Sequence, residues 1–160
     1  MLAETKRSVL KNENKDFIRW EKKFELGIPQ IDEQHKQLII LCNDLYQAVI
    51  RNKYRAVIPG WQEALSDALH KTVDYIGTHF SDEEKLITVV GYPQADAHKQ
   101  KHREFTAKIR DTLKSFNEAK FQDAMDFVHF LYDWILEHIA IVDKAYVPAV
   151  MKYLEEKKSN

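Results

Sequence analysis

Seven histidines are the side chains best able to do chemistry in this chain, at positions 35, 70, 79, 98, 102, 129 and 138. His79 and Glu83 stand four apart, as do His98 and His102. On a helix of about 100° per residue, four positions turn by roughly 40°, so each pair shares a face. In both pairs that face is apolar: Ile76, Phe80 and Ile87 flank the first, and Phe105 and Ile109 follow the second. His35 falls midway between Ile31 and Ile39, and His138 follows Leu131, Trp134 and Ile135 on one stripe. Burying imidazoles and a carboxylate without partners costs about 2–7 kcal/mol for each unpaired polar group. A shared metal ion is one way to remove that cost.

His70 precedes His79 by nine residues, and His129 precedes His138 by nine. Nine residues turn by roughly 180°, so these two face away from the metal side and read as surface histidines. Asp143 follows His138 by five residues, roughly 140° on a continuous helix. It reaches the same site only if the fourth helix ends or bends near Ala140 to Val142. An unbroken helix would leave its carboxylate in solvent.

The elements that must position these residues are long helices. Only four Gly and four Pro interrupt 160 residues, and 44% apolar content suffices for one core. Residues 1–16 are charged and aperiodic and read as a flexible N-terminal arm. The domain proper spans 17–160, with Phe17, Ile18 and Trp20 opening an apolar segment that ends at Gly27-Ile28-Pro29. A first amphipathic helix runs from about Pro29 to Arg51, carrying Leu38, Ile39, Cys42, Leu45 and Val49 at helical spacing. Pro59-Gly60 breaks it, and a second helix runs from about Trp61 to Val90 until Gly91-Tyr92-Pro93. Phe105, Ile109, Leu113 and Phe116 mark a third helix, Asn117-Glu118-Ala119-Lys120 a turn, and Phe121 to Ile135 a fourth. The fold expected is all-α, an up-down-up-down four-helix bundle with an N-terminal arm and a short C-terminal helix. In such a bundle the start of one helix lies beside the end of the next, so the chosen histidines and Glu83 meet at one end.

Charge narrows the function classes. Lys and Arg total 24 against 25 Asp and Glu, which gives no electrostatic reason to expect nucleic acid or an anionic membrane. The basic stretch HKQKHREFTAKIRDTLK fits a solvated helical face. No apolar run approaches the roughly 18 residues of a bilayer span, and the N-terminus lacks a secretory h-region. One cysteine, Cys42, excludes an intrachain disulfide and reads as a small core hydrophobe. Trp61, Phe130 and Trp134 read first as packing between helices. A cytoplasmic protein is expected.

Five imidazoles and two carboxylates exceed what one ion needs, whereas two ions bridged by carboxylates use them economically. Imidazole and carboxylate donors without thiolate suit iron better than structural zinc. His35 in IDEQHKQL, His79 and Glu83 in HFSDEE, His98 and His102 in HKQKH, and His138 and Asp143 in HIAIVD resemble the ligand set of the hemerythrin family. The resemblance spans about Trp20 to Tyr146, and the bacterial oxygen-binding members are nearest. Myohemerythrin is itself a standard example of the up-down bundle. The resemblance implies that His98, His102 and His138 bind one iron, and His35 and His79 the other. Glu83 and Asp143 would bridge both, with an oxo or hydroxo group as third bridge. It implies reversible O2 binding at the less saturated iron, for storage, carriage or delivery, without catalysis. Phe80, Trp134, Ile135 and Ile139 would line a dry O2 pocket, and Trp20 would close the same end. No further inner carboxylate or histidine is expected there to serve as acid or base. Where family members often carry Met, this chain has Ile87. Two other uses of such a centre stay open: a di-iron enzyme acting on peroxide, nitric oxide or O2, and an oxygen or iron sensor.

Overall fold

The computed structural model describes residues 16–53, 61–115 and 121–159. Four long helices carry the fold: α1 (Pro29–Lys53), α2 (Trp61–Val89), α3 (Ala95–Ser115) and α4 (Phe121–Glu137). A π turn (His138–Val142) and a 3-10 turn (Asp143–Tyr146) join α4 to a short C-terminal helix, α5 (Val147–Lys158). One more 3-10 turn, Lys22–Phe24, precedes α1. Four parts of the sequence reading lie outside the described residues: the arm over 1–15, the break at Pro59-Gly60, Phe116 and the turn over 117–120. The side chains of Leu65 and Trp61 lie outside them as well.

Stop signals in the sequence act as they should. Gly91 takes φ +68, the left-handed conformation that closes a helix at little steric cost. Tyr92 N–H bonds back to Ile87 O at 3.0 Å and Gly91 N–H to Thr88 O at 3.2 Å. Before α1, Gly27 adopts φ +76. Asp32 in the first turn accepts the N–H groups of Leu26 (2.7 Å) and Gly27 (2.9 Å), which fixes how the chain enters the helix.

The up-down order is visible in specific contacts. Gln34, early in α1, bonds to Asp82, late in α2, and Lys99, early in α3, reaches Thr88 at the end of α2. Phe105 of α3 stacks on Phe130 and Trp134 of α4, and α4 packs back on α1. Asn43 ties the N-terminal segment along α1, donating to Ile18 O and accepting Ile18 N–H, both at 2.8 Å.

Apolar burial divides into two clusters. The larger contains Leu38, Leu45, Leu69, Val128 and Leu131, and it includes Phe80, Ile135 and Ile139. The smaller gathers Leu26, Ile31, Ile87, Tyr146 and Val150. Ile87 is fully buried there. Between the two clusters lies a polar layer, because the residues one turn before His35 and one turn after Glu83 belong to one cluster and those on the other side belong to the other.

Candidate metal centre

All seven side chains expected at the site come together in that layer. His35, His79, Glu83 and Asp143 are 0% exposed, and His98, His102 and His138 no more than 3%. They fall into two groups whose donor atoms lie within 4.8 Å of one another: Glu83 with His98, His102 and His138, and His35 with His79, Glu83 and Asp143. Glu83 belongs to both. Its Oε2 lies 3.2 Å from His102 Nε2, 3.4 Å from His98 Nε2 and 3.8 Å from His79 Nε2. Asp143 spans the same gap, with Oδ2 3.2 Å from His35 Nε2, and Oδ1 3.1 Å from His138 Nε2 and 3.5 Å from His98 Nε2.

Asp143 arrives through the expected interruption of the fourth helix. Regular α-helix stops at Glu137, and the helix continues in another form. It widens: Asp143 N–H bonds to His138 O across five residues, while Glu137 and Asp143 keep right-handed helical angles. A π turn absorbs one extra residue without leaving the helix. The five-residue spacing then does what a four-residue spacing does on an α-helix. His70 and His129 face solvent, their Nδ1 atoms bonded to the Ser66 and Met125 carbonyls one turn back.

The donor set fits a pair of cations. Buried polar atoms without a hydrogen-bond partner are rare in folded proteins, yet among the described residues His35 Nδ1 and Nε2, His79 Nε2, His98 Nδ1 and both Asp143 oxygens lack one. His102 Nε2 and His138 Nε2 face each other at 3.0 Å, with room for at most one proton between them. The titratable groups pull in both directions: burial lowers His98, but its hydrogen bond with Glu83 prevails and raises it. Burial pushes the His79 imidazole down to about 4, against the upward pull of Glu83, so its lone pair is free at neutral pH. Burial would raise Glu83, but hydrogen bonds with His102 and His98 outweigh it and hold the carboxyl well below its usual range. Asp143 is likewise held low: burial and Glu83 push it up, and His138 and His35 prevail. Two ionised carboxylates at zero exposure require positive charge nearby.

The surroundings are mostly aromatic and aliphatic. Phe80 stacks on the His102 ring at 3.7 Å and 5°, and half-buried Trp134 on His138 at 4.2 Å and 14°. Ile135 and Ile139 are buried. One turn inward from the ligands lies an enclosed apolar cavity of about 10 Å³, bounded by Leu38, Ile76, Trp134 and Ile135 among others. Phe80 and Ile139 do not border it. Trp20 lies on Phe24 and beneath Lys36, and the 3-10 turn holding Phe24 abuts the π turn.

One sequence expectation fails here. Polar side chains do touch the ligands. The Tyr146 hydroxyl donates to Glu83 Oε1 at 2.7 Å; His102 Nδ1 lies 3.0 Å from Glu84 Oε1; and His79 Nδ1 lies 3.1 Å from Gln34 Oε1. Gln34 and Glu84 sit beside ligands in sequence but serve ligands on other helices, so helical spacing gave no sign of them. The general need of a metal-bound imidazole for a partner at its second nitrogen was the available signal.

Similarity to known proteins agrees with this geometry. The family model for the hemerythrin HHE cation binding domain matches residues 26–150. A bacteriohemerythrin of Stenotrophomonas maltophilia is 30% identical over 141 residues, spanning 88% of this chain and 86% of that protein. One from Clostridium acetobutylicum is 28% identical over 129 residues, 80% of this chain and 97% of that protein. A crystal structure of wild-type hemerythrin superimposes with TM-score 0.70 at 28% identity, covering 84% of this chain and 98% of the other.

Proposed function

This chain belongs to the hemerythrin HHE cation-binding family, and from that premise we propose that it binds O2 reversibly at a non-haem di-iron centre. The observation that carries the reading is the division of seven buried donors into two groups that share Glu83, with Asp143 of one group also reaching His138 and His98 of the other. His98, His102 and His138 would hold one iron, His35 and His79 the other, and the two carboxylates would be shared. Three imidazoles against two leave one ion with fewer protein donors. Held by these residues, an iron pair would supply the reversible redox chemistry that O2 binding needs.

The protein's own part is to hold the donors and keep water out. Phe80 and Trp134 lie flat against ligand rings, and Ile135 and Ile139 are buried in the same apolar cluster as Phe80. A dry surround limits proton delivery, which slows loss of the bound gas as reduced oxygen species. The polar neighbours do not alter this reading. Glu84 and Gln34 approach from behind the imidazoles, at Nδ1, and the Tyr146 hydroxyl is committed to Glu83. Thr72, beside the inner cavity, gives its hydroxyl proton to Ala68 O. This favours carriage over oxidase or reductase chemistry.

Metal analysis and oxygenation test the proposal together. Protein made with ample iron should carry two irons per chain, and fewer than one would overturn the reading. Reduced protein mixed with O2 should give a stable spectrum that reverses on deoxygenation. Rapid conversion to ferric protein with release of peroxide or water would replace carriage with catalysis.

A further inference from the structure

Resting on the di-iron reading, we infer that Glu84 is a positioning residue that makes the two halves of the centre electronically unequal. A carboxylate can only accept a hydrogen bond, so at 3.0 Å from Glu84 Oε1 it is His102 Nδ1 that carries the proton. That leaves Nε2, the atom facing Glu83 and His138, as the one that would bind metal.

His79 is held by the same logic with a different partner. Gln34 donates from Nε2 to Asp82 Oδ2 at 2.8 Å, which orients its Oε1 towards His79. The Nδ1 proton of His79 therefore goes to a neutral amide. One imidazole of the three-histidine group is thus backed by a full negative charge, and one of the two-histidine group by an uncharged carbonyl. Charge-assisted hydrogen bonds are roughly twice as strong as neutral ones and raise the basicity of the ligand behind which they sit. The three-histidine pocket is the better host for a ferric ion.

Exposure separates the two ends of this contact. Glu84 has a third of its side chain in solvent (33%) and His102 only 2%. Glu84 borders a groove of about 530 Å³ between α2 and α3, together with Ser81, Arg103 and Arg110. Its charge is hydrated on one side and delivered to a buried ring on the other. Gln34, behind His79, is partly exposed as well, but it brings no charge to its imidazole.

Three variants separate the hydrogen bond from the charge: Glu84→Ala, Glu84→Gln and Gln34→Ala, each loaded with iron. Two quantities are measured, the rate of iron release to excess chelator and the reduction potential of the iron pair. Glu84→Ala should release iron about 10–100-fold faster, and Glu84→Gln, which keeps an acceptor for His102, should recover most of that loss. Both Glu84 variants should show a raised potential, because each lacks the charge, while Gln34→Ala should leave the potential near the parent value. A Glu84→Gln protein at the parent potential, or a Glu84→Ala protein releasing iron at the parent rate, would overturn the inference. A parent protein that takes up no iron would instead overturn the di-iron reading on which it rests.

Discussion

At the residue scale, direction matters more than residue type. His70 and His79 are both histidines of α2, yet one is exposed and bonded to its own backbone and the other is wholly buried against Glu83. His102→Ala should leave less than one iron per chain, because it removes a donor and takes from Glu84 its partner. His70→Ala should keep full iron and change stability by no more than about 0.5 kcal/mol. Equal iron content in the two proteins would contradict the assignment. Cys42 gives a second test. Burial pushes its thiol up to about 12, whereas an unfolded cysteine ionises near about 8.5. The raised group favours the folded state fully below the unfolded value, and that contribution is lost as pH climbs towards 12. At pH 8 roughly one folded molecule in 10⁴ carries thiolate, so a disulfide reagent should label native protein at least about 10³-fold more slowly than denatured protein.

At the element scale, the π turn is the device that completes the site. His138 and Asp143 are five apart, and an α-helix would point the carboxylate away. The widened turn brings it back beside His35 and His138 while Ile141 takes the outside, 67% exposed. Register, then, should be sensitive in one direction. Deleting Ile141 leaves His138 and the aspartate four apart on a plain α-helix, with both still facing inward, and iron binding should persist. Inserting one alanine after Ile141 makes the spacing six and swings the aspartate off the site, so iron per chain should fall below one. Retention of two irons in the insertion variant, measured after reconstitution with excess ferrous salt, would show that Asp143 is dispensable.

At the scale of the whole molecule, the polar layer lies towards one end of the bundle and the larger apolar cluster fills the rest. Removing the metal should therefore leave the helices standing while weakening the end that holds unpartnered imidazoles. Ligand at a hundred times its dissociation constant adds about 2.7 kcal/mol to stability, which for a chain of this size is about 5–10 °C in Tm. Circular dichroism of iron-free protein should retain the helical signal, with the melting transition lower by at least that amount. Collapse of the helical signal on iron removal would mean that the larger cluster, with Leu45, Leu69, Val128 and Leu131 buried, does not sustain the fold alone.

How much of this could be read from the sequence follows from the range of each interaction. Helical phase is local, so the spacing of His79 with Glu83, of His98 with His102, and of apolar residues along α1 to α4 was enough to identify the bundle. The same spacing set His70 and His129 apart. The meeting of the histidines at one end followed from bundle connectivity. Three things were out of reach because they depend on contacts between distant segments or on a choice between nearly equal backbone states. A five-residue spacing is compatible with a break, a bend or a π turn, and packing of Asp143 between His35 and His138 selects the last. Gln34 and Glu84 serve imidazoles 45 and 18 residues away; Tyr146, three residues after Asp143, could be placed near the site from sequence, but its partner Glu83, 63 residues away, could not. Local periodicity carries no information about such pairs; only the packed bundle brings them within hydrogen-bonding distance.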